Sequence, residues 1–290
     1  MTRLRAALTL LRPSHWVKNT FVLAGIFFAG GLLNLGVLVD ALFAFVAFCL
    51  ASSAIYALND IFDREADRKH PRKLQRPVAS GSISVSQAIA LSLACGVGAL
   101  ILSARISTPL FAVIAAYLLI NTAYSRWLKH VVLVDVFCIA SGFLLRLMAG
   151  TWGIDIPPSQ WFVLCTFLLS LFLGFSKRYA ERMDHTQDAA HKRAVVEDYS
   201  PEFLRMLLAV TLACTLIVYG LYTVSPQTLE LHGTGDLVYT LPFVAFALFR
   251  YLYLVMQKGF GENLSAEFLR DPWLLASGAA YMGMAAYLIF

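Results

Sequence analysis

An all-α, polytopic membrane bundle of nine transmembrane helices is the fold this sequence predicts. Three observations carry the prediction. Of the 290 residues, 59% are hydrophobic and only 14% charged, against roughly 45–50% and about 25% in soluble domains. Apolar runs long enough to cross a bilayer recur from end to end without a polar linker. The basic residues, finally, fall almost entirely on one side of those runs.

Taken in order, the runs lie at about 17–35, 37–58, 84–103, 107–123, 132–150, 160–176, 203–222, 238–256 and 273–289, each about 17–25 residues long. The first abuts the second through a Gly-Leu turn, and the fourth is short. With no linker between runs, residues 1–290 are read as a single integral-membrane domain. Placing the N-terminus in the cytoplasm puts 21 of the 23 Lys and Arg residues on the inner side; Arg105 and Arg146 are the exceptions. Nine spans then leave the C-terminus outside. The short apolar stretch before Arg12 and Pro13 is a poor cleavable signal peptide.

The net charge of +5 follows from this topology and identifies no substrate. Nucleic-acid binding has no supporting motif. The five cysteines sit inside apolar runs without CxxC pairs and the six histidines are scattered, so neither a disulfide framework nor a zinc or iron cluster is expected. The residues leave open whether copies of the chain assemble into a homo-oligomer.

Chemistry concentrates in Tyr56–Gly81, where four acidic and six basic residues follow a nearly charge-free run. As a helical continuation of the second span, Asp60, Asp63 and Asp67 fall within an arc of about 60°, with Asn59 beside it. Stacked carboxylates at a membrane surface repel one another unless their pKa values rise or a cation sits among them. An oxygen-only set suits Mg²⁺, or Mn²⁺, rather than zinc. The bland alternative is a solvated helix end whose acids pair with Arg64, Arg68 and Lys69. Arg72, Lys73 and Arg76 follow in a loop bounded by Pro71 and Pro77, and a metal-bound diphosphate is their natural partner. The stretch therefore reads as a Mg²⁺–diphosphate site at the cytoplasmic mouth of the bundle, facing membrane lipids on its flanks.

"NDIFDREAD" followed by "RPVASG" resembles the first aspartate motif of the UbiA superfamily, intramembrane transferases with nine spans. Where the ring-prenylating members carry two aspartates four apart, this chain has Asp135 and Ile139, within Tyr-x-x-x-Leu-Lys-x-x-x-x-x-Asp. That pattern, with "RPSHWVKN" and "SKRYAE", is similar to the branch that makes polyprenyl-phosphoryl-5-phosphoribose. The resemblance covers most of the first 185 residues and beyond them is one of hydropathy alone. It implies Mg²⁺-dependent transfer of 5-phosphoribose from phosphoribosyl diphosphate (PRPP) to a polyprenyl phosphate such as decaprenyl phosphate, releasing pyrophosphate, as a step toward lipid-linked arabinose. The setting implied is the bacterial inner membrane, with the site facing the cytoplasm.

Carried over by position, Asp60, Asp63 and Asp67 hold metal, with Asp60, Asp63 and Asp135 catalytic. Asn59, Arg72, Lys73, Arg76, Tyr124 and Lys129 contact the donor. Lys18, Lys177 and Arg178, at inner ends of spans, are placed to meet an anion. Lys18, Lys129, Lys177 and Arg178 each have the alternative of snorkelling at the interface, and Tyr124 that of an interface-belt aromatic. Arg146, eleven residues after Asp135 and on nearly the same helix face, either lines a deep cavity or reaches the outer headgroups. Two other functions compete: an aromatic prenyltransferase using a prenyl diphosphate, and a non-catalytic carrier for anionic lipids, which would show repeated halves with broken helices.

Overall fold

The computed structural model describes residues 3–28, 34–71, 73–184, 194–261 and 270–289. Every regular element among them is helical. Two compact units emerge, one of Met1–Lys129 with Leu145–Pro158 and one of His130–Leu144 with Ser159–Phe290.

The first unit opens with α1 (Arg3–Leu11), a 3₁₀ segment Pro13–Thr20, and α2 (Phe21–Phe28). Then come α3 (Leu35–Phe62), α4 (Arg64–Lys69), a 3₁₀ turn Lys73–Gln75, α5 (Val85–Ile106) and α6 (Thr108–Arg126). Short polar caps explain where the long helices begin. The Asn34 side-chain Oδ1 accepts from the backbone of Gly36 and Val37, Ser84 and Gln87 form a reciprocal capping box, and Ser107 caps a helix whose first turn holds Pro109. Small residues decide the packing. Ala41, Ala44, Ala47 and Ala51 are fully buried along α3, and Gly96 on α5 lies against Ala54. Close backbone approach of this kind is how helices associate where lipid removes the hydrophobic drive. Ser92 then donates to the Ala54 carbonyl at 2.9 Å.

The second unit is built on α8 (Gln160–Met183), α10 (Pro201–Thr223), α12 (Leu241–Lys258) and α13 (Pro272–Ile289), with the short α9 (Ala194–Glu197) and α11 (Pro226–His232) between them. The helix α7 (Val134–Ala149) begins in this unit and its last residues belong to the first. Phe172, Phe175, Leu204, Leu208, Tyr251 and Val255 form its core. Asp271 closes the start of α13: one carboxylate oxygen accepts from the backbone of Trp273 and Leu274, while Arg250 donates to the carboxylate at 2.8 Å. The Arg250 hydrogen bond, ahead of the backbone ones, holds the Asp271 carboxyl below the usual aspartate range. A depressed folded pKa contributes stability that is complete above the unfolded value of about 3.9 and is lost as pH falls through the folded one. Asp271→Ala should lower stability at pH 7 by about 0.5–2 kcal/mol for the cap. In thermal melts the gap from wild type should narrow below about pH 4.

Among the described residues eight helices are long and apolar enough to cross a membrane. The eight runs from 37 onward each correspond to one. The first, at 17–35, differs: it starts inside the 3₁₀ segment, and residues 29–33 lie outside the described residues. The short fourth run extends to a 19-residue helix, and the sixth continues seven residues beyond its expected end, to Met183. Carried over this extension, Arg178 lies within a buried helix face instead of at an interface.

Candidate active site

The acidic ladder is set by α3, the break after it, and α4. Helical bonding continues across the break, with Asp63 N–H donating to the Asn59 carbonyl at 2.9 Å and Asp67 N–H to the Asp63 carbonyl at 2.8 Å. The expected single helix is thus two, hinged at Asp63, whose φ and ψ of −87° and 2° leave the helical region. Asp60 and Asp67 nonetheless share a face, as the spacing required. Both reach the Arg76 Nη1, at 3.6 Å and 2.7 Å. Asp60 also accepts from Arg12 at 2.6 Å, and Asp63 pairs with Lys129 at 2.5 Å.

Three acids thus meet three bases drawn from outside their own helix. The nearby Arg68 is occupied elsewhere, with Glu65 and the Ala79 carbonyl. Asp60 is almost wholly buried, and its Oδ2 has no hydrogen-bond partner. An ionised oxygen in that state costs free energy until something cationic or hydrogen-bonding reaches it. Among the described residues no group of three or more His, Cys, Asp or Glu side chains is arranged to hold a metal. The orphaned oxygen and the all-oxygen donor set are the features that fit a hard divalent cation.

Asn59 is partly exposed beside this cluster, Lys73 opens its 3₁₀ turn half-buried, and Tyr124 lies half-buried in the last turn of α6. Arg72 lies outside the described residues.

Arg12 was counted in the sequence only as an inner-side base. It lies in the left-handed region, at φ 51°, and stacks over Tyr56 at 5.0 Å. The 3₁₀ segment after it is stitched to α3 by Trp16 Nε1 on Ser53 and Asn19 on Ser52, at 3.0 and 3.1 Å. These residues all belong to "RPSHWVKN", so the motif was in view while its partners were not. Lys18 is exposed next to the buried Asn19. Arg146 takes neither an outer-headgroup position nor an exposed one. It is 7% exposed, donates to Asn19 Oδ1 at 2.8 Å and the Tyr117 hydroxyl at 3.1 Å, and faces the rings of Phe48 and Tyr117.

In the second unit Asp135 is fully buried at the second position of α7. Its Oδ2 accepts from Arg178 Nε at 2.5 Å and its Oδ1 from the Tyr199 hydroxyl at 2.7 Å. Arg178, also fully buried, pairs with Glu181 as well. Burial, then the hydrogen bond to Asp135, push the Tyr199 hydroxyl well above its ordinary pKa, so it stays a proton donor. Lys177 is half-buried beside this group on α8. Tyr199 and Glu181 were missed in the sequence; "SKRYAE" contains Glu181, whereas nothing in the pattern ties Tyr199 to Asp135.

The model of the UbiA prenyltransferase family matches residues 19–269. The chain belongs to that family. Two curated relatives carry the name decaprenyl-phosphate phosphoribosyltransferase. The one from Corynebacterium glutamicum is 38% identical over 216 residues, 73% of this chain and 65% of that protein, a match just under two-thirds of the relative's length. The one from Mycobacterium tuberculosis is 35% identical over 281 residues, 93% of this chain and 92% of that protein. That match runs well past residue 185, where the recognisable motifs ended. Among solved structures, a UbiA homologue from Archaeoglobus fulgidus bound to GPP and Mg²⁺ has a TM-score of 0.73 at 21% identity, covering 97% of each chain. The same homologue has been solved with Cd²⁺, at a TM-score of 0.67. The UbiA fold and an integral membrane setting follow, and divalent cations are bound by members of this fold.

Proposed function

We propose that this protein transfers 5-phosphoribose from PRPP to a polyprenyl phosphate such as decaprenyl phosphate and releases pyrophosphate. The observation that carries the reading is the cluster on the first unit: three aspartates, each held by a base that a diphosphate can draw away, with one carboxylate oxygen left over. The names of the two relatives choose this donor and acceptor over a prenyl diphosphate and an aromatic ring.

Asp60, Asp63 and Asp67 would hold Mg²⁺, with Mn²⁺ as a substitute. When bound, the ion supplies Lewis-acid stabilisation of the negative charge on departing pyrophosphate. Arg12, Arg76 and Lys129 exchange their aspartate partners for diphosphate oxygens, Arg72 and Lys73 add positive charge for the same group, and Asn59 and Tyr124 offer neutral hydrogen bonds to the donor. Lys18 is suited to an anionic group at the edge of the same unit. An oxygen of the lipid phosphate attacks C1 of the ribose as the bond from C1 to the diphosphate breaks, and pyrophosphate leaves with the electron pair. The attacking oxygen is already ionised at neutral pH, so no general base is required. Single displacement converts the α-configured donor into a β-linked product. The reading takes the whole chain, both units, as one transferase of the bacterial inner membrane, with its N-terminus and site cytoplasmic, its C-terminus outside, and the product feeding lipid-linked arabinose.

The test is direct. Purified protein given polyprenyl phosphate and labelled PRPP should form a labelled lipid with Mg²⁺ and none with EDTA. Failure there, with turnover of an aromatic acid and a prenyl diphosphate, would replace this reading. Lys129→Met should raise the KM for PRPP by about 10-fold or more, the scale of a lost charge-assisted contact. It should leave the KM for the lipid unchanged, because Lys129 is assigned to the donor; initial rates at varied PRPP and varied lipid check this.

A further inference from the structure

We propose that Asp135, Arg178, Glu181 and Tyr199 form a buried charge clamp that binds neither metal nor substrate and fastens the 195–199 segment to the start of α7. Asp135 stands where the family's second aspartate cluster was expected, so the geometry assigns it a different task. Both of its oxygens are engaged, and neither it nor Arg178 has any exposed surface. A cation could reach this carboxylate only by displacing the Tyr199 hydroxyl from one oxygen or a fully buried guanidinium from the other, and losing the latter would leave its charge uncompensated in the interior.

The fourth partner shows what the clamp does. The Tyr199 hydroxyl donates to Asp135 and at the same time accepts from the Leu133 backbone N–H at 2.6 Å. Leu133 lies at φ 68°, a conformation that a branched side chain adopts only when its surroundings hold it there. Tyr199 therefore ties the turn that launches α7 to a segment whose Val195 and Val196 are themselves buried. Gly174 makes the pairing possible. It lies one turn before Arg178 on α8, and a Cβ there would sit 2.6 Å from Val136 Cγ1, so only glycine lets α7 come this close.

The test measures stability and metal binding separately on the purified full chain, with Mn²⁺ plus inorganic pyrophosphate as the probe and free Mn²⁺ read by electron paramagnetic resonance. Tyr199→Phe keeps the ring and removes only the hydroxyl, so it should stay folded if Asp135→Asn does not. The clamp predicts a lower melting temperature for both variants and Mn²⁺ affinity within about 2-fold of wild type, against the roughly 10–100-fold loss expected where a metal's coordination is disturbed. A loss of about tenfold or more in Tyr199→Phe, or in Asp135→Asn that remains folded, overturns the proposal. So does an unchanged melting temperature in Tyr199→Phe. Asp60→Asn, run alongside, tests the ladder as the cation site; its outcome leaves the assignment of Asp135 untouched.

Discussion

Asp60→Asn is expected to lower labelled-lipid formation by about 10²–10³-fold, the usual cost of removing one preorganised charge-stabilising group from a water-poor site. Asparagine keeps the shape and still accepts from Arg12 through its carbonyl oxygen, but it replaces the orphaned, buried Oδ2 with an amide that cannot ligate a cation. The fold should survive. Arg12 and Arg76 retain 21% and 28% side-chain exposure, so water can take over the charge that the aspartate leaves unpaired. Asp63→Ala should behave similarly on turnover, since its carboxylate is over a third exposed and contributes little to packing. Size-exclusion profiles in detergent check the fold, and initial rates at saturating PRPP check the loss. Near-normal turnover in a well-folded Asp60→Asn protein would refute the ladder as the metal site.

Gly150→Ala is expected to do the opposite kind of damage, costing about 3 kcal/mol or more of stability with no change in site chemistry. A Cβ at Gly150 would lie 1.6 Å from the Val22 carbonyl oxygen, and one at Gly25 would lie 2.4 Å from the Gly150 carbonyl. Two backbones touch here, α2 against the chain just past α7, and backbone cannot move aside as a side-chain tip can. Arg146, one turn earlier, would lose its alignment with Asn19 as the segments separate. Gly98→Ala is the control. Its Cβ would meet Leu50 Cδ1 at 3.7 Å, ordinary contact, and it should express and melt nearly as wild type. A Gly150→Ala protein with an unchanged melting temperature would show that this contact is dispensable.

Much of the ladder was legible because helical periodicity is local. The spacing of Asp60, Asp63 and Asp67 put them on one face, and two of them do share Arg76. Their partners were not legible. Arg12 is 48 residues from Asp60 and Lys129 is 66 from Asp63, distances at which no period or propensity relates one residue to another. The alternative of pairing with Arg64, Arg68 and Lys69 rested on proximity in sequence, whereas Arg64 and Arg68 reach Glu65. The buried partners of Arg146 and Asp135 were illegible for a related reason. Position along a span tells the depth of a charge in the membrane and nothing about which buried groups surround it.

By itself the sequence determined that this chain is a helical membrane protein of the UbiA type. Apolar run length answers to the thickness of the bilayer, which constrains every span independently. It also determined which residue types gather near the acidic stretch. Only the tertiary structure decided how the charges are divided: Asp60, Asp63 and Asp67 against Arg12, Arg76 and Lys129, Asp135 sealed against Arg178 and Tyr199. That division depends on where glycine lets helices touch and which side chains burial leaves without water, and both are set by packing between distant segments.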